Sequence, residues 1–330
     1  MKRMGRDALA GLAASSLLPV AGCEEDLSVR TKGPGNGGTE KVHTEDDRIR
    51  SVIPSSGEKI SPIGMGTWIT FNVGSAKPLM NKRTEVLSRF FAEGGGMIDS
   101  SPMYGSSEKV LGYGLSKLQE MDEGPDTSTL FSATKVWTPG GGDGPDQIRN
   151  SENLWNVDGF DLLQVHNLVD WRTHLKTLFE MKENGDVQYV GITTSHGRRH
   201  GEMKRVMRNE PIDFVQLTYN LRNRDVERAL LPLAREQDLG VIANRSFAGG
   251  SLVKGIQRAG VPLPDWASEI DCANWPQFLL KFIISHPAVT CAIPATTKVE
   301  HMKEDKGAAR GRLPNSEQRA RMVAYVRERY

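Results

Sequence analysis

Cysteine is scarce in this chain, with three in 330 residues, Cys23, Cys272 and Cys291. Three cannot build a disulfide framework, and no CxxC pair suggests a zinc or redox motif. Cys272 and Cys291 each lie in an apolar stretch and read as small buried hydrophobes. Neither sign of charge is in excess. The 42 basic and 41 acidic residues leave a formal charge of +1, so the balance gives no reason to expect nucleic acid or an anionic membrane surface as partner. No GxGxxG follows an early apolar run, which argues against a Rossmann nucleotide site. No metal-ligand cluster or pair of catalytic carboxylates stands at the run ends, as an unrelated barrel lyase or hydrolase would need, so no metal is expected.

What the chain does have is repetition. From residue 52 onward, short apolar runs stop at polar or glycine-rich clusters, and longer helical patterns follow. Eight such runs cover 63–68, 97–99, 130–135, 162–166, 189–193, 214–217, 241–244 and 290–294. Apolar character on successive residues predicts burial on both faces, as in a parallel sheet. Helical spacing predicts helices over 84–93, 175–183, 226–237 and 278–285, the second stopped by Asn184-Gly185. Alternation without a second composition break predicts an α/β chain closed into a (β/α)8 TIM barrel over residues 50–330. Residues 52–60 hold a turn between two short apolar pieces, which predicts a β-hairpin ahead of the barrel.

The amino terminus reads differently. Lys2, Arg3 and Arg6 precede an apolar stretch over 8–20, too short to span a bilayer as a helix but long enough for a signal-peptide core. It ends in Val20-Ala21-Gly22-Cys23, which resembles a bacterial lipobox with Cys23 as the lipidated residue. Residues 1–23 are therefore expected to be a signal peptide. Residues 24–49, charged and Gly-rich around Gly33-Pro34-Gly35-Asn36-Gly37-Gly38, are expected to be a flexible tether. The expected location is the periplasmic face of a membrane, held there by lipid alone, with the cytoplasm as alternative. Lys2-Arg3 is a weakened form of the pair that signals folded export.

Barrels of this kind carry their chemistry at the carboxyl ends of the strands. Asp99 ends the second run, Lys135 the third and His166 the fourth, and Tyr104 follows Asp99 after a short loop. The stretch Asp99-Ser100-Ser101-Pro102-Met103-Tyr104-Gly105-Ser106-Ser107-Glu108, with Leu111-Gly112 beyond it, resembles the aldo-keto reductase signature. Gly64-Met65-Gly66-Thr67-Trp68, Ala133-Thr134-Lys135-Val136 and Gln164-Val165-His166-Asn167 are similar to that family's first, lysine and histidine strands. The resemblance runs from about Val52 to Pro314. It implies an Asp99–Tyr104–Lys135–His166 tetrad and NADP(H)-dependent reduction of a small carbonyl substrate by a monomer. Tyr104 would donate the proton, and Lys135, held by Asp99, would lower the tyrosine's pKa. His166 would hydrogen-bond the substrate oxygen. A cofactor-binding regulatory subunit on the same fold is the alternative.

The same resemblance implies a cofactor site across the barrel mouth, with NADP(H) preferred to NAD(H). Gln216 matches the carboxamide-binding residue, Thr193 and Thr194 align with a Ser-Asn pair, and Thr67 and Trp68 are further candidate cofactor contacts. Asn244 stands where many members place a stacking Tyr, so Phe247 or Trp68 is the candidate substitute. Arg245, Ser246, Gly249 and Gly250 are candidate pyrophosphate contacts. Thr296, Lys298, His301, Glu304 and Asp305 match the adenosine-phosphate segment, with Lys298 supplying charge for a 2′-phosphate and the acidic pair holding adenine. Trp68, Phe71, Met103, Trp137 and Asn167 are the expected lining of the substrate pocket.

Overall fold

The computed structural model describes residues 38–44 and 46–330. Cys23, the leader and most of the tether lie outside the described residues. The tether's far end is structured, contrary to the reading from composition. There β1 (Lys41–His43) pairs antiparallel with β2 (Ile49–Val52), which pairs with β3 (Lys59–Ile60). The expected hairpin is β2–β3, and β1 adds a third strand. Lys41-Val42-His43 carries no periodic apolar signal, because its order comes from backbone pairing, Lys41 opposite Ser51.

The barrel follows as β4 (Met65–Gly66), α1 (Lys77–Ala92), β5 (Gly96–Asp99), α2 (Ser107–Gln119), β6 (Leu130–Val136), α3 (Gly144–Trp155), β7 (Phe160–Val165) and α4 (Trp171–Asn184). It continues as β8 (Val187–Thr193), α5 (His200–Asn209), β9 (Phe214–Thr218), α6 (Leu230–Glu236), β10 (Gly240–Asn244), α7 (Ser251–Arg258), α8 (Trp275–Ile284), β11 (Cys291–Ala292), α9 (Val299–Gly307) and α10 (Ser316–Arg329). The eight strands β4–β11 are parallel neighbours in chain order, one for each predicted run. A parallel bridge between Ile63 and Ala292 closes the ring, with Gly66 N donating to Pro294 O at 2.9 Å. The chain therefore folds as a (β/α)8 barrel with a small antiparallel sheet at its start. The helical pattern over 226–237 divides into a 3-10 turn, Asp225–Arg228, and then α6. Pro232 falls in the first turn of α6, where a missing N–H costs little.

Strand alternation sorts the side chains into two cores. Ile98, Leu163, Val165, Val190, Ile192, Val215, Leu217 and Val241 point outward and pack under the helices. Met97, Phe131, Leu162, Tyr189, Phe214, Ile242 and Cys291 point inward and join Ile53 and Ile60 of the small sheet in a separate apolar cluster. Phe131, Tyr189 and Phe214 meet ring to ring at 5.4–6.3 Å. Gly191 makes room for them, since a Cβ there would stand 2.8 Å from Phe214 O. The Tyr189 hydroxyl lies 2.7 Å from Glu58 Oε2, in the turn between β2 and β3. This apolar layer is the floor of the barrel. Two residues further along several strands the same inward face becomes polar, at Asp99, Lys135, Gln164, Gln216 and Asn244, because the side-chain period is two.

Candidate active site

Asp99 is the hub of that polar layer. Its Oδ2 accepts from Lys135 Nζ at 2.6 Å, and its Oδ1 accepts from Gln216 Nε2 at 2.8 Å and Gln164 Nε2 at 3.0 Å. Lys135 Nζ also donates to Ser100 O at 2.7 Å. Asp99 is 2 % exposed and Lys135 0 %. A buried ion pair persists only when its remaining hydrogen-bonding capacity is met, and these amides and the carbonyl meet it. Burial pulls the Lys135 ammonium pKa down. Attraction to Asp99 and Tyr104 outweighs that and holds it above the ordinary lysine value.

Tyr104 is half-buried beside this pair, with Lys135 Nζ 5.1 Å from its ring centroid. Burial raises the Tyr104 pKa, Lys135 lowers it and Asp99 raises it, with burial dominant. The expectation that Lys135 lowers the tyrosine is right in sign for that one interaction, but the net direction is upward. Tyr104 therefore keeps its proton at neutral pH. The Tyr104 and His166 rings meet edge to face at 5.7 Å. His166 is 5 % exposed, and burial reinforced by the Lys135 charge pushes its pKa down to about 2, so the imidazole is neutral. Four groups from three strand ends and one loop thus converge: an ion pair, a protonated phenol and a neutral imidazole.

The other predicted residues divide by placement. Trp68, Met103 and Trp137, at 45 %, 39 % and 40 % exposure, are large apolar side chains open at the loops after β4, β5 and β6, as a pocket lining requires. Asn167 is half-buried, and its backbone N–H donates to Thr193 Oγ1 at 3.0 Å. Phe71 is a correction, because it is fully buried in the outer core and lines no pocket. The chain reverses at Ile69, φ +64°, two residues before Phe71 packs into the outer core. Thr67 is a second correction. Its buried hydroxyl faces Ser100 Oγ at 2.8 Å and Asp99 O at 3.1 Å, so it ties the end of β4 to that of β5. The Thr194 hydroxyl faces Met203 Sδ on α5, and its carbonyl accepts from Asn244 Nδ2 at 2.9 Å.

Asn244 also accepts from Thr218 Oγ1 at 2.8 Å, which fixes its amide between strands and leaves no ring for stacking at this position. Phe247 packs against the outer core, and Trp68 stays exposed with the Arg245 guanidinium 5.7 Å from its ring. The loop after β10 winds tightly, with positive φ at Arg245, Ala248, Gly249 and Gly250. Within it Ser246 Oγ is buried and finds no hydrogen-bond partner among the described residues. Thr296 Oγ1 accepts from Lys298 N at 3.2 Å, and Lys298 and His301 are exposed at the start of α9. Glu304 is half-buried. Asp305 lies on the buried face of α9 with Met302 and Lys306, and burial followed by Glu304 pushes its carboxyl well above the usual range. No group of three or more His, Cys, Asp or Glu suited to a metal occurs among the described residues.

Two residues near the tetrad went unassigned in the sequence. Gln164 lies two positions before His166 on the same inward face, a spacing that the strand period makes visible. Ser101 Oγ lies 2.8 Å from His166 Nδ1. It sits in a Ser-Ser-Pro turn and carries no signal of its own.

Comparison with known proteins agrees with this geometry. Residues 62–324 match the model of the aldo/keto reductase family. Methylglyoxal reductase YeaE of Escherichia coli is 26 % identical over 279 residues, covering 81 % of this chain and 92 % of that protein. A crystal structure of an aldo/keto reductase from Klebsiella pneumoniae in complex with NADP and acetate superimposes with a TM-score of 0.65 at 21 % identity, over 81 % of this chain and 92 % of that one. The holo form of an aldo-keto reductase from Bacillus halodurans gives 0.66 at 18 % identity, over 87 % and 96 %. With the family model spanning most of the barrel and the ion pair, phenol and imidazole gathered at its mouth, this chain belongs to the aldo/keto reductase family, a family of oxidoreductases.

Proposed function

We propose that the chain reduces a small aldehyde or ketone to an alcohol with NADPH, and that Tyr104 gives the proton. The observation that carries this reading is the Lys135–Asp99 pair at 2.6 Å beneath a half-buried, protonated Tyr104 and a neutral His166. When bound, the nicotinamide supplies hydride to the carbonyl carbon. The chain supplies the rest. The neutral imidazole of His166 donates a hydrogen bond to the carbonyl oxygen. Tyr104 passes its proton to that oxygen as negative charge develops. Lys135 stabilises the phenolate left behind, and Asp99 holds Lys135 in place. Trp68, Met103 and Trp137 give the substrate an apolar setting.

The cofactor fit rests on the unpartnered Ser246 hydroxyl and on the exposed Lys298 at the start of α9, a cation suited to a 2′-phosphate. The structural relative from Klebsiella pneumoniae holds NADP, which favours the same choice here over NAD(H). Tyr104→Phe removes one hydroxyl and little volume. It is expected to abolish reduction and leave NADPH binding nearly intact. Near-wild-type turnover would remove Tyr104 as the acid.

The proposal extends to location. Cys23 is taken as a lipidated amino terminus and the monomeric barrel as exported, with the cytoplasm as alternative. Mass spectrometry of the native amino terminus is expected to find lipid on Cys23, and an intact Met1 on the mature protein would exclude it.

A further inference from the structure

The neutral His166 ring can carry its proton on either nitrogen, and only one of the two forms suits the reduction proposed above. Nδ1 lies 2.8 Å from Ser101 Oγ, in a buried pair, and Nε2 makes no hydrogen bond to a described residue. A hydroxyl has one proton to give and two lone pairs. Of the Ser101 lone pairs, one faces the Met103 N–H at 3.4 Å. Nδ1 is the hydrogen-bond acceptor that the Ser101 hydroxyl finds. If Nδ1 carried the ring proton, it would donate to Oγ, and the buried hydroxyl proton would be left without an acceptor. The bare Nε2 would then repel a carbonyl oxygen. If Ser101 donates to Nδ1, both groups are satisfied, and Nε2 carries the proton.

We infer that Ser101 is a positioning residue that locks His166 in the Nε2-protonated form and fixes the plane of its ring. The inference rests on the reduction reading for its consequence in turnover, but the tautomer itself is independent of turnover. His174 supplies an internal reference. Its Nε2 lies 2.9 Å from the carbonyl oxygen of Thr138, which accepts only, so that nitrogen must be the protonated one.

The test is nitrogen NMR of the ring in the full-length protein, with the His166 signals identified by their loss in His166→Gln, alongside steady-state kinetics. Wild type is expected to show a single Nε2-protonated form with a hydrogen-bonded Nδ1. Ser101→Ala is expected to lose that signature and to lower kcat about 10- to 100-fold, since a hydrogen bond to the developing alkoxide acts mainly in the transition state. KM and NADPH affinity are expected to change little. Ser101→Thr keeps the hydroxyl and is expected to restore both ring signals and kcat. A wild-type ring protonated on Nδ1, or a Ser101→Ala enzyme with unchanged ring signals and kcat within twofold, would overturn the inference. Failure of the reduction reading looks different, as an active Tyr104→Phe enzyme whose ring signals are those of wild type.

Discussion

Replacing Lys135 by Met removes a charge while nearly keeping the volume, and the structure sets the size of two separate effects. The first is on chemistry. Nζ is 5.1 Å from the centre of the Tyr104 ring. A unit charge at that distance, at an effective dielectric of about 20, interacts with an emerging phenolate by about 3 kcal/mol. That converts to a fall of roughly two orders of magnitude in kcat. The second is on stability. Asp99 keeps the two amide donors on Oδ1 but loses its only cationic partner among the described residues, and breaking a buried pair from one side costs about 3–5 kcal/mol. The assay pairs NADPH consumption across a pH series with urea unfolding of the same preparation. Loss of Lys135 removes the influence that restrains the Tyr104 pKa, so the alkaline limb of the pH profile is expected to move upward. A variant that stays folded, with kcat within threefold of wild type and an unmoved alkaline limb, would refute the electrostatic reasoning.

Two further outcomes are expected. Burial, reinforced by Arg319, pushes His286 down to about 4 from an ordinary value near 6.5, so its stabilising contribution is intact above pH 6.5 and is lost as pH falls toward 4. The stability of wild type relative to His286→Asn is therefore expected to shrink by about 3 kcal/mol across that window, and parallel urea-unfolding curves would contradict the burial argument. Lys298→Ala is expected to weaken NADPH binding by about 1–3 kcal/mol and to leave NADH binding little changed, as measured by fluorescence titration. Equal losses for both nucleotides would take Lys298 away from the 2′-phosphate.

What was legible in the sequence followed from periodicity for the barrel and its strand ends, and from the family resemblance for the roles of the residues there. Asp99, Lys135 and His166 stand where apolar runs stop, and a barrel turns the ends of its runs into one mouth. Gln164 was equally available, since a residue two before His166 shares its face. Phe71 was misassigned because it is packed in the outer core just after a local reversal, and Thr67 because its hydroxyl is taken by the neighbouring strand end. The positive φ at Ile69 marks that reversal, and no residue pattern around Trp68 announces it. β1 was missed because three residues held by a neighbouring strand need no apolar pattern of their own. The net upward pKa of Tyr104 was out of reach for a different reason. It depends on how burial compares with one cation, and burial belongs to the folded molecule rather than to any motif.

The apolar floor has a consequence for traffic. Phe131, Tyr189 and Phe214 close the interior below Asp99 and Lys135, and Ile53 and Ile60 cap them from the small sheet. Among the described residues, this apolar layer fills the barrel interior on the side away from the polar layer. Under the proposed reduction, Tyr104 has to recover its proton from solvent between turnovers, and its half-buried ring lies on the mouth side of that floor. On that reading the Lys135–Asp99 pair serves the interval between turnovers as well as the turnover itself, since the Lys135 charge favours the phenolate until a proton returns.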